Sequence, residues 1–500
     1  MKPPAGKPPR SSPEEARLAI ERLLAAGKNL VVIEPGDQPI PLSEQNYSLA
    51  YRAGYLTFEV WNEERNLSRR ITGIATETRG RLELDIERFG KRMGRLALVD
   101  PTASQDVTRR TSRLTYRERF RRGLLRHFTG WRAVDVSTEP DLEHSLSPSY
   151  ARALVRRGSA GWAAVGAGPE SDVDGALTFG LIWLDYLRAR ERRLTIEGLA
   201  IFLPAGRERA TCLRLRWLNP RAAQYAAFAH GEDGCDDRID LADYGNLETH
   251  LDHCTRAVPD GSPEIHAWVS HIAGATPIEQ IPRPDGSLSL RVRGLEFARA
   301  GERALIYGLE TRREASASNV GEIIALARAI HELRSPYAKD QRNVLYARNA
   351  EGWLESQVRA HIQEIDAALE TTPVYGQVPA FTGGDRGVID LLASDRQGRL
   401  AVIEVKASED IHLPLQALDY WMRVRWHAER GEFGPNGYFP GLPLRTDPPR
   451  LLLVAPALAF HPSNEAVLRY FSPEVEVERI GVGLEWRKNL KIMFRYGLRR

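Results

Sequence analysis

The sequence predicts an α/β protein, and three observations predict it. Leu400-Ala-Val-Ile-Glu404-Val405-Lys406 alternates with a period of two and reads as a strand. Helical spacing lies on either side of it, in Gly352-Trp-Leu-Glu355-Ser-Gln-Val and in Leu413-Pro-Leu-Gln416-Ala-Leu-Asp-Tyr420. Short apolar runs punctuated by Gly, Pro, Asn and Asp recur throughout the chain. The C-terminal region is therefore expected to be a mixed central sheet flanked by helices, with β-rich elements before it.

The chain has 500 residues, of which 42% are hydrophobic and 27% charged, enough for two to four domains with substantial cores. A net charge of +3 is too mild to argue for nucleic acid by itself. Three cysteines, Cys212, Cys235 and Cys254, are an odd number without disulfide spacing, which points to a reducing, cytoplasmic setting. Neither an apolar run of membrane-spanning length nor a signal-peptide pattern is present. Walker A, dinucleotide-loop and G-x-S-x-G signatures are also missing, which removes the support for motor, dehydrogenase and hydrolase readings.

In chain order, residues 1–28 read as a basic Pro-rich tail and a helix opened by the capping box Ser12-Pro-Glu-Glu15. Residues 29–100 are strand-rich, with runs at Tyr55–Trp61, Ile71–Ala75, Leu82–Ile86 and Arg95–Val99. Residues 101–235 are mixed α/β. Residues 236–345 are expected to be a linker, polar and irregular to about 285, followed by a small β/α segment with a helix near 319–333. Residues 346–500 form the last domain.

The chemistry concentrates in that domain. Gly387-Val-Ile-Asp390-Leu-Leu is a second strand, and Asp395-Arg-Gln-Gly398 is hairpin chemistry that should bring Asp390 near Glu404. Glu404 and Lys406 share one strand face, while Ile403 and Val405 take the other. A desolvated carboxylate beside an ammonium is a weak source of stability, so a site that completes the charge balance with a metal is the more economical reading. Gln416 and Tyr420, four apart on a helix, share a face. An ordinary cross-strand ion pair remains the alternative for Glu404 and Lys406, and core packing the alternative for Tyr420.

The order helical Glu355, strand Asp390, strand Glu404 with Lys406, then helical Gln416 with Tyr420 resembles the PD-(D/E)XK nuclease superfamily, in the RecB-type branch with a Gln-x-x-x-Tyr helix. The resemblance covers roughly residues 346–495. It implies a restriction-endonuclease-like fold and a Mg²⁺- or Mn²⁺-dependent nuclease acting on nucleic acid, with DNA in repair or defence as the expected substrate. Asp390, Glu404 and the Val405 carbonyl would hold the cation, a hard ion suited to oxygen ligands. Lys406 would hold or deprotonate the attacking water. Glu355 would support a second metal or orient Lys406, and the resemblance puts Gln416 and Tyr420 on the nucleic-acid backbone. The alternative is a catalytically silent nucleic-acid-binding or scaffold protein of the same fold.

Three further patterns stand out. Trp183-Leu-Asp-Tyr186 and Leu215-Arg-Trp-Leu-Asn-Pro220 echo Ala417-Leu-Asp-Tyr420 and Leu468-Arg-Tyr-Phe-Ser-Pro473, with Gly166 and Gly168 falling where Glu404 and Lys406 would lie. This suggests a degenerate second copy without a metal site, acting as an internal tandem in a monomer, with two unrelated domains of chance hexapeptide likeness as the alternative; a homodimer is the other arrangement expected. Arg113, Arg117 and Arg121 recur every four residues and would form a cationic helix stripe for phosphate contacts, or simply a solvated face. Finally, His250, His253 and Cys254, read as one helical turn, would be joined by Cys235 in a zinc set, against the plainer reading of a surface helix end.

Overall fold

Ser12 and Glu15 open the first helix reciprocally, the Ser12 amide donating to Glu15 Oε2 at 2.7 Å and the Glu15 amide to Ser12 Oγ at 3.2 Å. This is the capping box expected at that position. Ser12→Ala should cost about 1 kcal/mol, to be read as a lowered midpoint in a thermal melt.

The computed structural model describes residues 12–497, apart from 27–29, 35–39, 44–45, 53–54, 62–65, 79, 89–91, 101–105, 142, 169–170, 231–235, 255–261, 284–285 and 383–384. The expected Pro-rich tail and Cys235 lie outside the described residues, as does the side chain of Arg113. The chain divides into two units, residues 1–213 with 223–243, and residues 214–222 with 244–500. Among the described residues no helix is long and apolar enough to cross a membrane.

In the first unit α1 (Pro13–Ala26) packs on an antiparallel sheet. Its strands are β1 (Val31–Ile33), β2 (Ile40–Pro41), β3 (Tyr47–Arg52), β4 (Tyr55–Trp61), β5 (Asn66–Thr78), β6 (Arg81–Arg88) and β7 (Arg92–Val99), in the order β2-β1-β7-β6-β5-β4-β3. Ala16, Ala19 and Ile20 of α1 meet the inward residues Leu56, Phe58, Val60, Leu84 and Ile86 in one core. The period-two burial of β4 is the alternation read from its sequence.

A second sheet with its helices follows in the chain: α2 (Asp106–His127), β8 (Arg132–Ser137), β9 (Tyr150–Arg157), β10 (Ala160–Ala167), α3 (Ala176–Arg190), β11 (Thr195–Pro204), α4 (Arg209–Leu215), β12 (Gln224–His230) and β13 (Asp236–Arg238). Strands β8, β9 and β10 are antiparallel, β10, β11 and β12 are parallel, and β13 returns antiparallel.

The second unit holds two sheets. Strand β14 (Thr249–His250) joins the second of them, and α5 (Pro263–Ala275) follows. The first sheet contains β15 (Glu279–Pro282), β16 (Leu288–Val292), β17 (Leu295–Ala300), β18 (Leu305–Tyr307) and β19 (Arg313–Glu314). It is followed by α6 (Val320–Leu333), α7 (Val344–Ala347), α8 (Ala350–Ala360) and α9 (Ile362–Ile365).

The stretch expected to be irregular to about 285 therefore contains helix α5 and strand β15, and Ile265, Val269 and Ile272 share one apolar core with Leu290 and Phe297 of the expected β/α segment. The missed signal is local. Ser262 caps α5 by accepting from the Ile265 amide, Pro263 occupies the first helical position, and Ile265, Val269 and Ile272 are spaced to face one core. Asp/Gly and Pro clusters on both sides obscured it.

The second sheet comprises β20 (Tyr375–Thr382), β21 (Asp385–Ser394), β22 (Leu400–Val405), α10 (Leu413–Glu429), β23 (Arg450–Pro456), α11 (Ser463–Leu468), β24 (Val477–Val482) and β25 (Ile492–Gly497). Strands β20, β21 and β22 are antiparallel, β22, β23 and β24 parallel, and β25 antiparallel. This is the strand order and direction of β8 to β13, with a crossover helix at each corresponding place. Residues 214–222 contribute to this unit: Leu218 bridges Phe471, and Trp217 packs edge-on against Trp421. The two echoing hexapeptides are thus bonded to each other.

Candidate active site

The hairpin between β21 and β22 sets the site. Asp395 Oδ1 accepts from the amides of Gln397 and Arg399 at 2.9 Å each, and Gly398 takes φ +83°, a conformation suited to glycine. The register pairs Leu391 with Ile403, so Asp390 arrives beside Glu404. Its Oδ2 accepts from the Val405 amide at 2.9 Å.

Ile403 and Val405 pack into a core with Trp353, Leu354 and Val358 of α8. Glu404, one residue out of phase, turns to the other face. Lys406 Nζ lies 3.4 Å from Glu404 Oε1 and 3.2 Å from Glu351 Oε1. The Glu404 side chain is 1% exposed, whereas Glu351 is 41% exposed, so the cluster opens to solvent on the Glu351 side. Gln416 Nε2 donates to the Tyr420 hydroxyl at 3.2 Å, as their helical spacing requires.

The electrostatics follow from too many acids around one base. Burial, and then the charge of Glu351, push Asp390 up to about 7. Burial and the neighbouring Asp390 raise Glu404 well above the ordinary carboxylate range. For Lys406 burial acts downward, but Glu404, Glu351 and Asp390 outweigh it and raise its pKa. The consistent picture is a permanently charged ammonium beside carboxyl groups that retain a proton. Lys406 in this state can donate to a water or a phosphate oxygen, but it is a poor base. Burial, with Glu404 next, also pushes Tyr420 up to about 12, leaving its hydroxyl neutral.

Glu355 is placed differently from the expectation that it orients Lys406. It is 2% exposed, accepts from Gln377 Nε2 at 3.0 Å, and lies 3.8 Å from Arg359 and 3.9 Å from Arg291. Glu351, one turn earlier on α8, takes the place beside Lys406. An acid in the first turn of a helix is ordinarily explained by the helix dipole, so its sequence position carried no distinctive signal.

Helix α8 is held from three sides. Asn349, with φ 49°, caps it by accepting from the Gly352 amide at 2.9 Å. The β16–β17 turn approaches so closely that a Cβ at Gly294, where φ is +74°, would lie 1.9 Å from the Gly352 carbonyl oxygen. Fully buried Arg334 donates to the carbonyls of Leu345 at 2.7 Å, Arg293 at 2.9 Å and Arg348.

The donor set fits a hard cation. Glu404 Oε2 is buried without a hydrogen-bond partner, and Asp390 stands next to it. Among the described residues no three His, Cys, Asp or Glu side chains gather closely enough to form a protein cage. Mg²⁺ does not require one, since it commonly binds through one or two carboxylates and keeps several waters. The zinc set lacks the expected geometry: His250 lies on strand β14, paired with Phe381 and 3.2 Å from Asp252, not on a helical turn with His253 and Cys254.

In the first unit the positions echoing Glu404 and Lys406 are closed. A Cβ at Gly166 would meet the Tyr116 hydroxyl at 2.5 Å, and one at Gly168 would meet Tyr116 Cδ1 at 3.3 Å. Helix α2 carries the arginine stripe, but Arg117 and Arg121 sit 3.9 and 3.8 Å from the same acid, Glu118, which offsets part of their charge. Comparison with protein-family models and with curated proteins finds no match to this chain.

Proposed function

We propose that the second sheet of the second unit is a restriction-endonuclease-like domain and that the protein is a metal-dependent nuclease hydrolysing phosphodiester bonds, with DNA as substrate. The observation that carries this reading is the buried Asp390–Glu404 pair, with one carboxylate oxygen unpartnered, beside a charged Lys406 that also reaches Glu351. Such a cluster destabilises the fold unless something compensates its charge. A bound divalent cation would supply charge neutralisation at the scissile phosphate and a more acidic water.

The chain's own groups would divide the remaining work. Asp390 and Glu404 hold the cation, with the Val405 carbonyl as a further oxygen. Lys406 donates to the attacking water or to the phosphate oxygen on which charge develops. Glu351 keeps the Lys406 amine in place from the solvent side. Gln416 and Tyr420 offer neutral donors for the adjoining backbone.

The test is incubation of the purified chain with single-stranded, duplex and branched DNA and with RNA, in Mg²⁺ or Mn²⁺. Lys406→Ala is expected to reduce cleavage about 10²- to 10³-fold, with loss in chelator. Cleavage surviving both Lys406→Ala and Asp390→Ala would assign the activity elsewhere, and binding without cleavage by wild type would leave the silent-scaffold reading in its place.

A further inference from the structure

A cavity of about 290 Å³ lies in the second unit, walled by β15, the residues leading into β20, and Tyr438. Two of its lining side chains are cationic, Arg283 and Arg359, and two are aromatic, Tyr375 and Tyr438, with ring centroids 4.9 Å apart. Gln280 and Gln377 add amides that can donate and accept. A space of this size takes one small ligand, at the low end of ordinary binding pockets.

Its charge balance selects an anion. Among the described residues, the lining Arg283 and Arg359, with Arg291, Arg299 and Arg312 outside the lining, share the carboxylates of Glu279, Glu296 and Glu355, and Arg359 donates to Glu279 at 2.8 Å. Glu296 is divided among three of these arginines, and Arg283 reaches it only at 3.4 Å. Arg283 Nε, though buried, has no hydrogen-bond partner. An apolar ligand would leave these groups unpaired, and a bare inorganic anion would leave the aromatic side unused.

We propose that this cavity binds a single nucleoside monophosphate unit, its phosphate at Arg283 and Arg359 and its base against Tyr375 and Tyr438. Arginine forks match phosphate oxygens, and stacking on an aromatic face is tolerant of base identity. The unit is either a free nucleotide or an unstacked residue of a strand. Only the second source rests on the nuclease reading. Because α8 carries both Arg359 and Glu351, a strand residue seated here would be tethered to the helix that reaches Lys406.

Calorimetric titration of the full chain in chelator, without cleavage, tests the proposal. Deoxyadenosine monophosphate is expected to bind saturably, and deoxyadenosine and orthophosphate each at least about tenfold more weakly. Arg283→Ala should weaken the nucleotide about tenfold, and Gln280→Trp, which fills the cavity from an exposed position, should abolish binding. Lys406→Ala should leave it unchanged, which separates this site from the cleavage centre. A 5′-phosphorylated oligothymidylate binding more tightly than thymidine monophosphate identifies the strand as the source; equal affinity identifies the free nucleotide. Undetectable nucleotide binding at millimolar concentration, or binding unaffected by both Arg283→Ala and Gln280→Trp, overturns the proposal.

Discussion

Glu404→Gln is expected to abolish cleavage and, in metal-free buffer, to make the protein more stable. The first effect should exceed about 10³-fold, the scale of a charge-stabilising group at a reacting centre. The second arises because Glu404 is 1% exposed, has an unpartnered oxygen and sits against Asp390. A carboxyl in this surrounding holds its proton or ionises only at a cost as pH rises, so a neutral isostere should stabilise by about 1 kcal/mol or more at alkaline pH, and Lys406 retains Glu351 as its partner. The sign of the pH dependence follows from the raised carboxyl groups. With Asp390 at about 7, the folded chain keeps a proton that the unfolded chain loses near pH 4. Stability of the metal-free wild type therefore falls as pH rises across that interval, and Lys406, raised above its ordinary value, stays protonated throughout. Thermal melts from pH 4 to 8 in chelator should show this slope in wild type and a shallower one in Glu404→Gln. Mg²⁺ should raise the midpoint of wild type most at the alkaline end, where both carboxylates are free to bind it. A variant less stable than wild type at pH 8 would show that the Glu404 charge is compensated within the protein.

Arg334→Ala should be among the most destabilising single substitutions, at about 3–5 kcal/mol. Its guanidinium, with no exposed surface, donates to Leu345, Arg348, Arg293 and Asn349 carbonyls and lies 4.7 Å from the centroid of the Trp353 ring. Removal leaves several buried acceptors without donors and a void beside fully buried Trp353. Arg334→Lys should recover little, because an ammonium cannot reproduce the planar fork. Since α8 begins at this clamp, the surviving fold should also hold Glu351 less firmly, and kcat should drop at temperatures well below the melting midpoint. Chemical denaturation together with cleavage rates measures both effects. A loss below about 1 kcal/mol would mean that water replaces the guanidinium.

Much of this was legible from local pattern. The capping box at Ser12, the Asp395–Gly398 turn and the Gln416–Tyr420 pair are short-range features in which neighbouring residues determine the geometry, and each occurs where its spacing placed it. The pairing of Asp390 with Glu404 followed from the turn. Long-range partners were not legible. Nothing near Glu355 in the chain announces Arg291 or Gln377, which are brought to it by a separate sheet and by β20. The choice of Glu351 over Glu355 for Lys406 depends on where α8 starts, and Arg334, Asn349 and Gly294 fix that start from positions up to 55 residues apart in the chain. The helix α5 was missed for a different reason, since the polar composition on both sides outweighed a good cap.

The Tyr116 ring over Gly166 and Gly168 has a stoichiometric consequence. One polypeptide folds two sheets of like connectivity but equips only one of them with acids and an amine. Under the nuclease activity proposed above, a duplex bound to a solitary copy would be severed on one strand per encounter, leaving a nick as the first product, and a clean break would require a return visit or the arrival of another copy.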